Sequence, residues 1–278
     1  MTDKTWLITG CATGFGRALA EAALARGDRV AATDRSADAV ADLAQRYPET
    51  SLALGLDVTR PDQVRAALDA AFARFGRLDV LVNNAGYGVQ SAVEETDEAT
   101  MRAMFEVNLF GMVDIIRAAL PRLRAQGSGH IVNFASVGGR VSGPLVALYS
   151  ASKFAVEGLS EGLAAEVAPF GIRVTAVEPG AFATRFGATA VPPRDPVAAY
   201  APIHESMRAL LADLPQGDPA DLAAAILELV DMPEPPLRFV GGADAYAMIA
   251  QALARQQAEM ETWRDLSNRA NRAALQAL

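Results

Sequence analysis

Seven short apolar runs recur along this chain, and the stretches between them are long and amphipathic enough to be helices. The runs are Trp6-Leu7-Ile8, Arg29 to Ala32, Leu52 to Leu56, Val80-Leu81-Val82, His130-Ile131-Val132, Arg173 to Val177 and Leu237 to Val240. Most are nearly continuous in apolar residues, as expected of strands covered on both faces. Between them Leu109, Met112, Ile116, Ala119 and Leu123 recur at steps of 3, 4, 3 and 4, which is one face of a helix. Strand and helix in alternation predict right-handed βαβ crossovers. The expected fold is therefore α/β, a single Rossmann-type doubly wound domain with a mainly seven-stranded parallel sheet flanked by helices on both faces.

Punctuation agrees with that order. Pro61, after Thr59, stands where a first helical turn begins, and Gly76, Gly127 and Gly171 stand where helices should stop. No Gly/Ser-rich linker cuts the chain, so residues 1–278 are read as one domain, with residues 1–184 as its core. Composition shifts only after about Thr184. Pro192, Pro193, Pro196, Pro202 and Pro215 mark a loop-rich insertion, 185–232, expected to carry one or two short helices. The last part, 233–278, holds the strand Leu237 to Val240 and a long helix suggested by Ile249, Leu253, Met260, Trp263 and Ala270.

Composition removes several functions. The chain has one Cys and two His, so Cys11 has no intrachain disulfide partner, and Cys11, His130 and His204 are too few for most structural zinc sites. No metal site is expected. A net charge of −8 argues against nucleic acid or anionic membrane as a partner. No run approaches the roughly 18 apolar residues of a membrane span, and the first residues carry no signal-like core, so a cytoplasmic protein is expected.

The first run leads directly into Thr9-Gly10-Cys11-Ala12-Thr13-Gly14-Phe15-Gly16 and an apolar helix from Arg17 onward. Strand, glycine loop and helix form one unit that brings backbone N–H groups and the helix N-terminus to a pyrophosphate. Asp34, 18 positions after Gly16 at the end of the second strand, can take both adenosine ribose hydroxyls. Asp57, ending the third strand before Val58, is placed to reach the adenine edge.

Further along, Tyr149 and Lys153 are four residues apart on a helix expected to begin near Ala147, so their side chains share a face. A phenol titrates near 10, and a neighbouring ammonium favours the phenolate, which would suit Tyr149 to proton exchange with a substrate oxygen. Ser136, 13 positions earlier and just past a strand, can polarise the same oxygen.

The spacing Gly-x-x-x-Gly-x-Gly, followed by Asn83-Asn84-Ala85-Gly86, Asn108, Ser136, Tyr149-x-x-x-Lys153 and Pro179-Gly180, resembles the short-chain dehydrogenase/reductase family over about residues 4 to 184. The chain looks most like the hydroxysteroid and retinol dehydrogenase branch. It departs from many members at Ala12 and Thr13, where two hydroxyl residues are usual. The resemblance implies a catalytic set of Asn108, Ser136, Tyr149 and Lys153. Asn108 would hold a water in a proton relay, and Lys153 would also grip the nicotinamide ribose. It implies a cofactor site of Gly10, Thr13, Gly14, Phe15, Gly16, Asp34, Arg35, Asp57, Val58, Asn84, Ala85, Gly86, Tyr149, Lys153, Pro179, Gly180 and Thr184. The asparagines of the 83–86 turn more readily brace strands than contact substrate.

Asp34 would repel the 2′-phosphate of NADP, whereas Arg35 could bind that phosphate or stack on adenine. NAD is the favoured cofactor, with NADP the alternative. The expected pocket wall of Val137, Val141, Leu145, Leu148, Phe186, Val191, Tyr200, Ile203, Met207 and Leu210 is mostly apolar, which favours a small hydrophobic secondary alcohol or ketone. An NADP-dependent ketone reductase and a non-catalytic NAD-sensing protein are the alternatives. His130 reads as a strand-edge residue and His204 as a solvated helix position. A homodimer or homotetramer is expected, through helices near 99–126 and 149–170 that form the dimer surface in many relatives.

Overall fold

The computed structural model describes residues 3–212 and 214–270. Seven strands, β1 Thr5–Thr9, β2 Arg29–Asp34, β3 Ser51–Gly55, β4 Val80–Asn83, β5 Gly129–Phe134, β6 Ile172–Pro179 and β7 Arg238–Gly241, form one parallel sheet in the order β3-β2-β1-β4-β5-β6-β7. The connecting helices are α1 Gly14–Ala25, α2 Ala41–Arg46, α3 Pro61–Phe75, α4 Glu98–Phe105, α5 Met112–Gln126 and α6 Ala147–Val167. After β6 come α7 Phe186–Thr189, α8 Ala201–Ala212 and α9 Pro219–Asp231, and after β7 come α10 Ala243–Thr262 and α11 Arg264–Ala270. Each apolar run of the sequence is a strand of this sheet. No described helix is long and apolar enough to cross a membrane.

Two apolar layers sandwich the sheet, and residue alternation along each strand decides which layer a side chain joins. Trp6 and Ile8 of β1 face α1, α2 and α9 with Leu19, Leu43 and Ile226, whereas Leu7 between them joins Leu68, Ile115 and Val156 of α3, α5 and α6. Pro61 is the first residue of α3, and Gly76 and Gly127 close α3 and α5 in the left-handed conformation.

The segment after Thr184 divides differently from its proline content. Helix α9 buries Leu222, Ala223, Ile226, Leu229 and Val230 against α1 and belongs to the core layer. The part standing apart from the layers is therefore shorter than 185–232 and includes α7 and α8. The C-terminal helix is two helices separated at Trp263, and Leu253, Met260 and Trp263 are exposed.

Sheet order reverses direction between β1 and β4. Loops leaving these two strands diverge to opposite faces and open a crevice at the carboxyl ends of the strands, where doubly wound sheets bind ligands. Gly10, Asp34, Asp57, Asn84, Ser136 and Pro179 all lie at or just beyond that edge.

Candidate active site

The glycine loop is held from beneath by the 83–86 turn. The Asn84 side chain donates to the carbonyls of Thr9 (2.8 Å) and Gly10 (3.1 Å), and the Thr9 hydroxyl accepts from the backbone N–H groups of Asn84 and Ala85. Asn83 braces β5 by donating to Asn133 at 2.8 Å. Gly10 and Gly14 have φ of +73° and +62°. At Gly16 a Cβ would lie 2.3 Å from the Gly10 carbonyl oxygen and 2.5 Å from Asn84 Nδ2, so the start of α1 presses on the loop itself.

The N-terminus of α1 has no internal anion. Thr13 at its N-cap makes no side-chain capping hydrogen bond, and the first turn carries no acidic residue. These backbone donors, with the glycine loop over them, fit the diphosphate of a dinucleotide.

The other cofactor candidates surround this cradle. Asp34 accepts from Ala12 N–H at one carboxylate oxygen and from Arg35 N–H at the other, both at 2.9 Å, so it braces the loop as well as facing the crevice. Arg35 is exposed. Asp57 accepts from the Thr59 amide and hydroxyl, and Val58 sends its side chain into the core, its carbonyl oxygen lying close to Gly111. Thr184 stands against Gly14, 3.6 Å from where a Cβ would be. Phe15 packs on Phe134 and Phe182, with centroids 5.6 and 5.1 Å away. Pro179 ends β6, and Gly180 leaves room for the Asp244 carboxylate, which accepts from Ala181 N–H at 2.8 Å.

Next to the cradle the four catalytic candidates converge. Helix α6 begins at Ala147 and carries Tyr149 and Lys153. The Lys153 ammonium is buried, donates to the Phe134 carbonyl at 2.8 Å and lies 5.9 Å from the Tyr149 ring centroid. Gly138 fits between Tyr149 and Ser136: a Cβ there would lie 3.2 Å from Tyr149 Cε1 and 3.3 Å from Ser136 Oγ. Asn108 sits in a π-helical turn, Glu106–Gly111, between α4 and α5. Its amide grips the Tyr87 backbone in both directions and donates to Ser152 Oγ at 3.2 Å. Gly86 is the close-approach point, since a Cβ there would be 3.0 Å from Asn108 Oδ1 and 3.7 Å from Lys153 Nζ.

The short chain dehydrogenase family model matches residues 4–194, more than half of the chain. The chain belongs to the short-chain dehydrogenase/reductase family. An oxidoreductase of Botryotinia fuckeliana is 39% identical over 272 residues, covering 95% of this chain and 98% of that protein. The crystal structure of a short-chain dehydrogenase from Streptomyces avermitilis superposes with a TM-score of 0.90 at 45% identity, covering 96% of this chain and 98% of the other. A short-chain dehydrogenase/reductase from Burkholderia phymatum in complex with NAD gives 0.81 at 27% identity, covering 94% and 97%. This short-chain dehydrogenase/reductase is an NAD(P)-dependent oxidoreductase.

Electrostatics of the dehydrogenase differ from the simple expectation of a lysine-depressed tyrosine. Burial pushes the Tyr149 phenol up to about 12, with Ser136 pulling the other way, and burial pushes Lys153 down to about 8, opposed by Glu157. Desolvation acts against both charged forms and outweighs the attraction between them, because the ammonium is turned onto the Phe134 carbonyl.

The segment over the site is also held differently from its reading as an apolar pocket wall with His204 at a solvated helix position. His204 of α8 is hydrogen-bonded at 2.8 Å to Glu95, a buried carboxylate that also accepts from the backbone N–H groups of Ala92 and Val197. Tyr200 donates to Glu94 at 2.8 Å. The inner face of α8 carries Ala201, His204 and Arg208 toward a cleft of about 420 Å³ bounded by Gln90 and Pro192, while Ile203 and Leu210 are exposed. Phe186 covers the tyrosine of this set, its ring centroid 5.4 Å from that of Tyr149. Val191 pairs with Val89, and Leu145, buried at φ +64°, accepts from Ser91 N–H at 2.8 Å.

His130 lies inside β5, not at an edge, and is buried against Thr175 at 2.9 Å. Sequence reasoning passed over one charged group near α6: Glu157, Glu178, Arg140 and Arg238. The available signal was the spacing of Glu157, one helical turn beyond Lys153.

Proposed function

We propose that this protein transfers a hydride between NAD and a hydrophobic secondary alcohol or ketone, with Tyr149 as the general acid and base. Bound NAD supplies the hydride acceptor, or in its reduced form the donor. Tyr149 exchanges a proton with the substrate oxygen, and Ser136 orients that oxygen. Lys153 presents positive charge to the phenol and holds the nicotinamide ribose, while Asn108 anchors the proton relay. The observation that carries this reading is the convergence of Ser136, Asn108 and the α6 pair Tyr149 and Lys153, from three segments, around Gly86 and Gly138.

The Asp34 carboxylate at the end of β2 supports NAD, since a 2′-phosphate there would meet like charge. An NADP-dependent ketone reductase is the second reading, favoured by the exposed Arg35 beside it. Phe186 over Tyr149 and buried Leu145 support an apolar substrate. Exposed Phe110, in the π-helical turn before α5, and exposed Phe154, on α6, support assembly as a homodimer or homotetramer.

A turnover screen of NAD and NADP with hydrophobic alcohols and ketones, run with wild type and Tyr149→Phe, tests the proposal. Turnover in wild type, lost in the variant with NAD affinity retained, is the expected result. Retained turnover in Tyr149→Phe overturns the mechanism, and tight NAD binding without turnover across the panel favours a sensor.

A further inference from the structure

Behind α6 four charged side chains from four segments meet, two buried carboxylates and two partly exposed guanidinium groups. Glu157 of α6 accepts from Arg238 of β7 at 3.0 Å, and Glu178 of β6 accepts from Arg140 at 2.9 Å. Arg238 also approaches Glu178 at 3.9 Å. The two carboxylates are almost fully buried, and each keeps one oxygen, Glu157 Oε1 and Glu178 Oε2, buried without a hydrogen-bond partner among the described residues. Two adjacent carboxylates with unsatisfied oxygens resist being ionised together, so the cluster can store a proton.

This cluster is joined to the catalytic groups at two points. Glu157 follows Lys153 by one helical turn on the same face. Arg140 closes the turn that begins at Ser136, and Gly139 in that turn lies against α6, where a Cβ would be 2.9 Å from the Lys153 carbonyl oxygen and 3.1 Å from Glu157 Cγ. We propose that Glu157 is a positioning residue that keeps Lys153 in its ammonium form, and that its pairing with Glu178 sets how much negative charge it presents.

The inference rests on Lys153 being the positive charge behind Tyr149. Burial and Glu178 both raise the pKa of Glu157, and Arg238 and Arg140 oppose them. Other groups around Lys153 do not supply the compensating charge. Tyr149, Ser136 and Ser152 are neutral hydroxyls, Asn108 is an amide, and Phe134 offers a carbonyl. Glu161 is exposed and paired with Arg238, while Glu106 and Arg102 on the neighbouring helical segments are exposed. Asp244 is committed to Ala181 N–H. Glu157 is left as the counter-ion, and without it a buried ammonium would lose its proton more easily.

The chain contains only two lysines, Lys4 and Lys153, so protein labelled with ε-13C-lysine gives a two-signal spectrum in which Lys153 titrates visibly and Lys4 is the internal reference. In Glu157→Gln the Lys153 midpoint should fall by about one pH unit. Turnover should then fail about one pH unit earlier on the alkaline side, a loss of about five-fold at the wild-type midpoint that approaches roughly ten-fold above it, with little change at lower pH. Glu178→Gln should move the midpoint the other way, because Glu157 no longer shares its proton. An unchanged Lys153 midpoint in either folded variant, or shifts of the same sign in both, overturns the inference. The spectrum reads the coupling even in an enzyme without turnover, so failure of the proposed reaction and failure of this inference give different results.

Discussion

Phe186 of α7 lies on the Tyr149 ring, centroids 5.4 Å apart and planes inclined by 56°, while a Cβ on Gly88 would lie 3.0 Å from Cζ of the same phenylalanine. An apolar side chain therefore closes the space beside the Tyr149 phenol and rests on the backbone that follows the 83–86 turn. Burial by this aromatic is consistent with the raised pKa of Tyr149.

Phe186→Ala should weaken the fit of an apolar substrate without disturbing the dinucleotide cradle. The expected change is a rise in KM of roughly ten-fold for the best substrate of the screen, equivalent to about 1.4 kcal/mol, with NAD affinity within two-fold or so of wild type. Steady-state kinetics and a cofactor titration check it, and an unchanged KM rules out Phe186 as a substrate contact.

Asp34→Ala should raise the affinity for NADP relative to NAD, because it removes the negative charge that a 2′-phosphate would meet. It also removes the acceptor of Ala12 N–H, so NAD affinity should fall at the same time. Dissociation constants for both dinucleotides decide the matter. A ratio equal to that of wild type would remove Asp34 from cofactor discrimination.

Two glycine substitutions should have opposite signs. Gly16→Ala places a methyl 2.3 Å from the Gly10 carbonyl oxygen, where only backbone can give way, and should destabilise by about 2 kcal/mol and weaken NAD binding. Gly158, exposed within α6, has nothing within 4 Å of its added methyl, and Gly158→Ala should stabilise by roughly 0.5 to 1 kcal/mol. Thermal melts separate the two, with Tm falling in the first and rising in the second.

Stability should decline in mild acid through His130. Burial lowers its pKa from 6.5 to about 4, so between these values the unfolded chain binds a proton that the native protein refuses. The contribution is fully present above pH 6.5 and is lost as pH falls toward 4, amounting to about 3 kcal/mol over the window. His130→Gln should flatten this part of the stability profile while retaining a donor for the Thr175 hydroxyl. Chemical denaturation at a series of pH values checks it, and an unaltered slope in the variant would assign the acid sensitivity elsewhere.

Most of the fold was legible because its signals are local. A strand buried on both faces must be apolar throughout, and the helix after a glycine loop must begin where the last glycine permits close approach. The convergence of Tyr149, Lys153 and Ser136 was legible for a related reason, since one helical turn and one strand end set their separation. The inner face of α8 was not legible. Its apolar stripe suggested Ile203 and Leu210 as pocket residues, yet the hydrogen bond from His204 to Glu95 holds the helix by its polar side.

The sequence by itself determined the alternation of strand and helix, the glycine loop and the order of the family motifs, since each depends on residue type and short spacing. Tertiary structure alone decided the electrostatics. Glu157, Glu178, Arg140 and Arg238 come from separate segments and meet, with both carboxylates buried, only after β6, β7 and α6 pack. The ionisation of Tyr149 and Lys153 likewise follows from how much water that packing removes, and charge in low dielectric is governed by neighbours that no short sequence window contains.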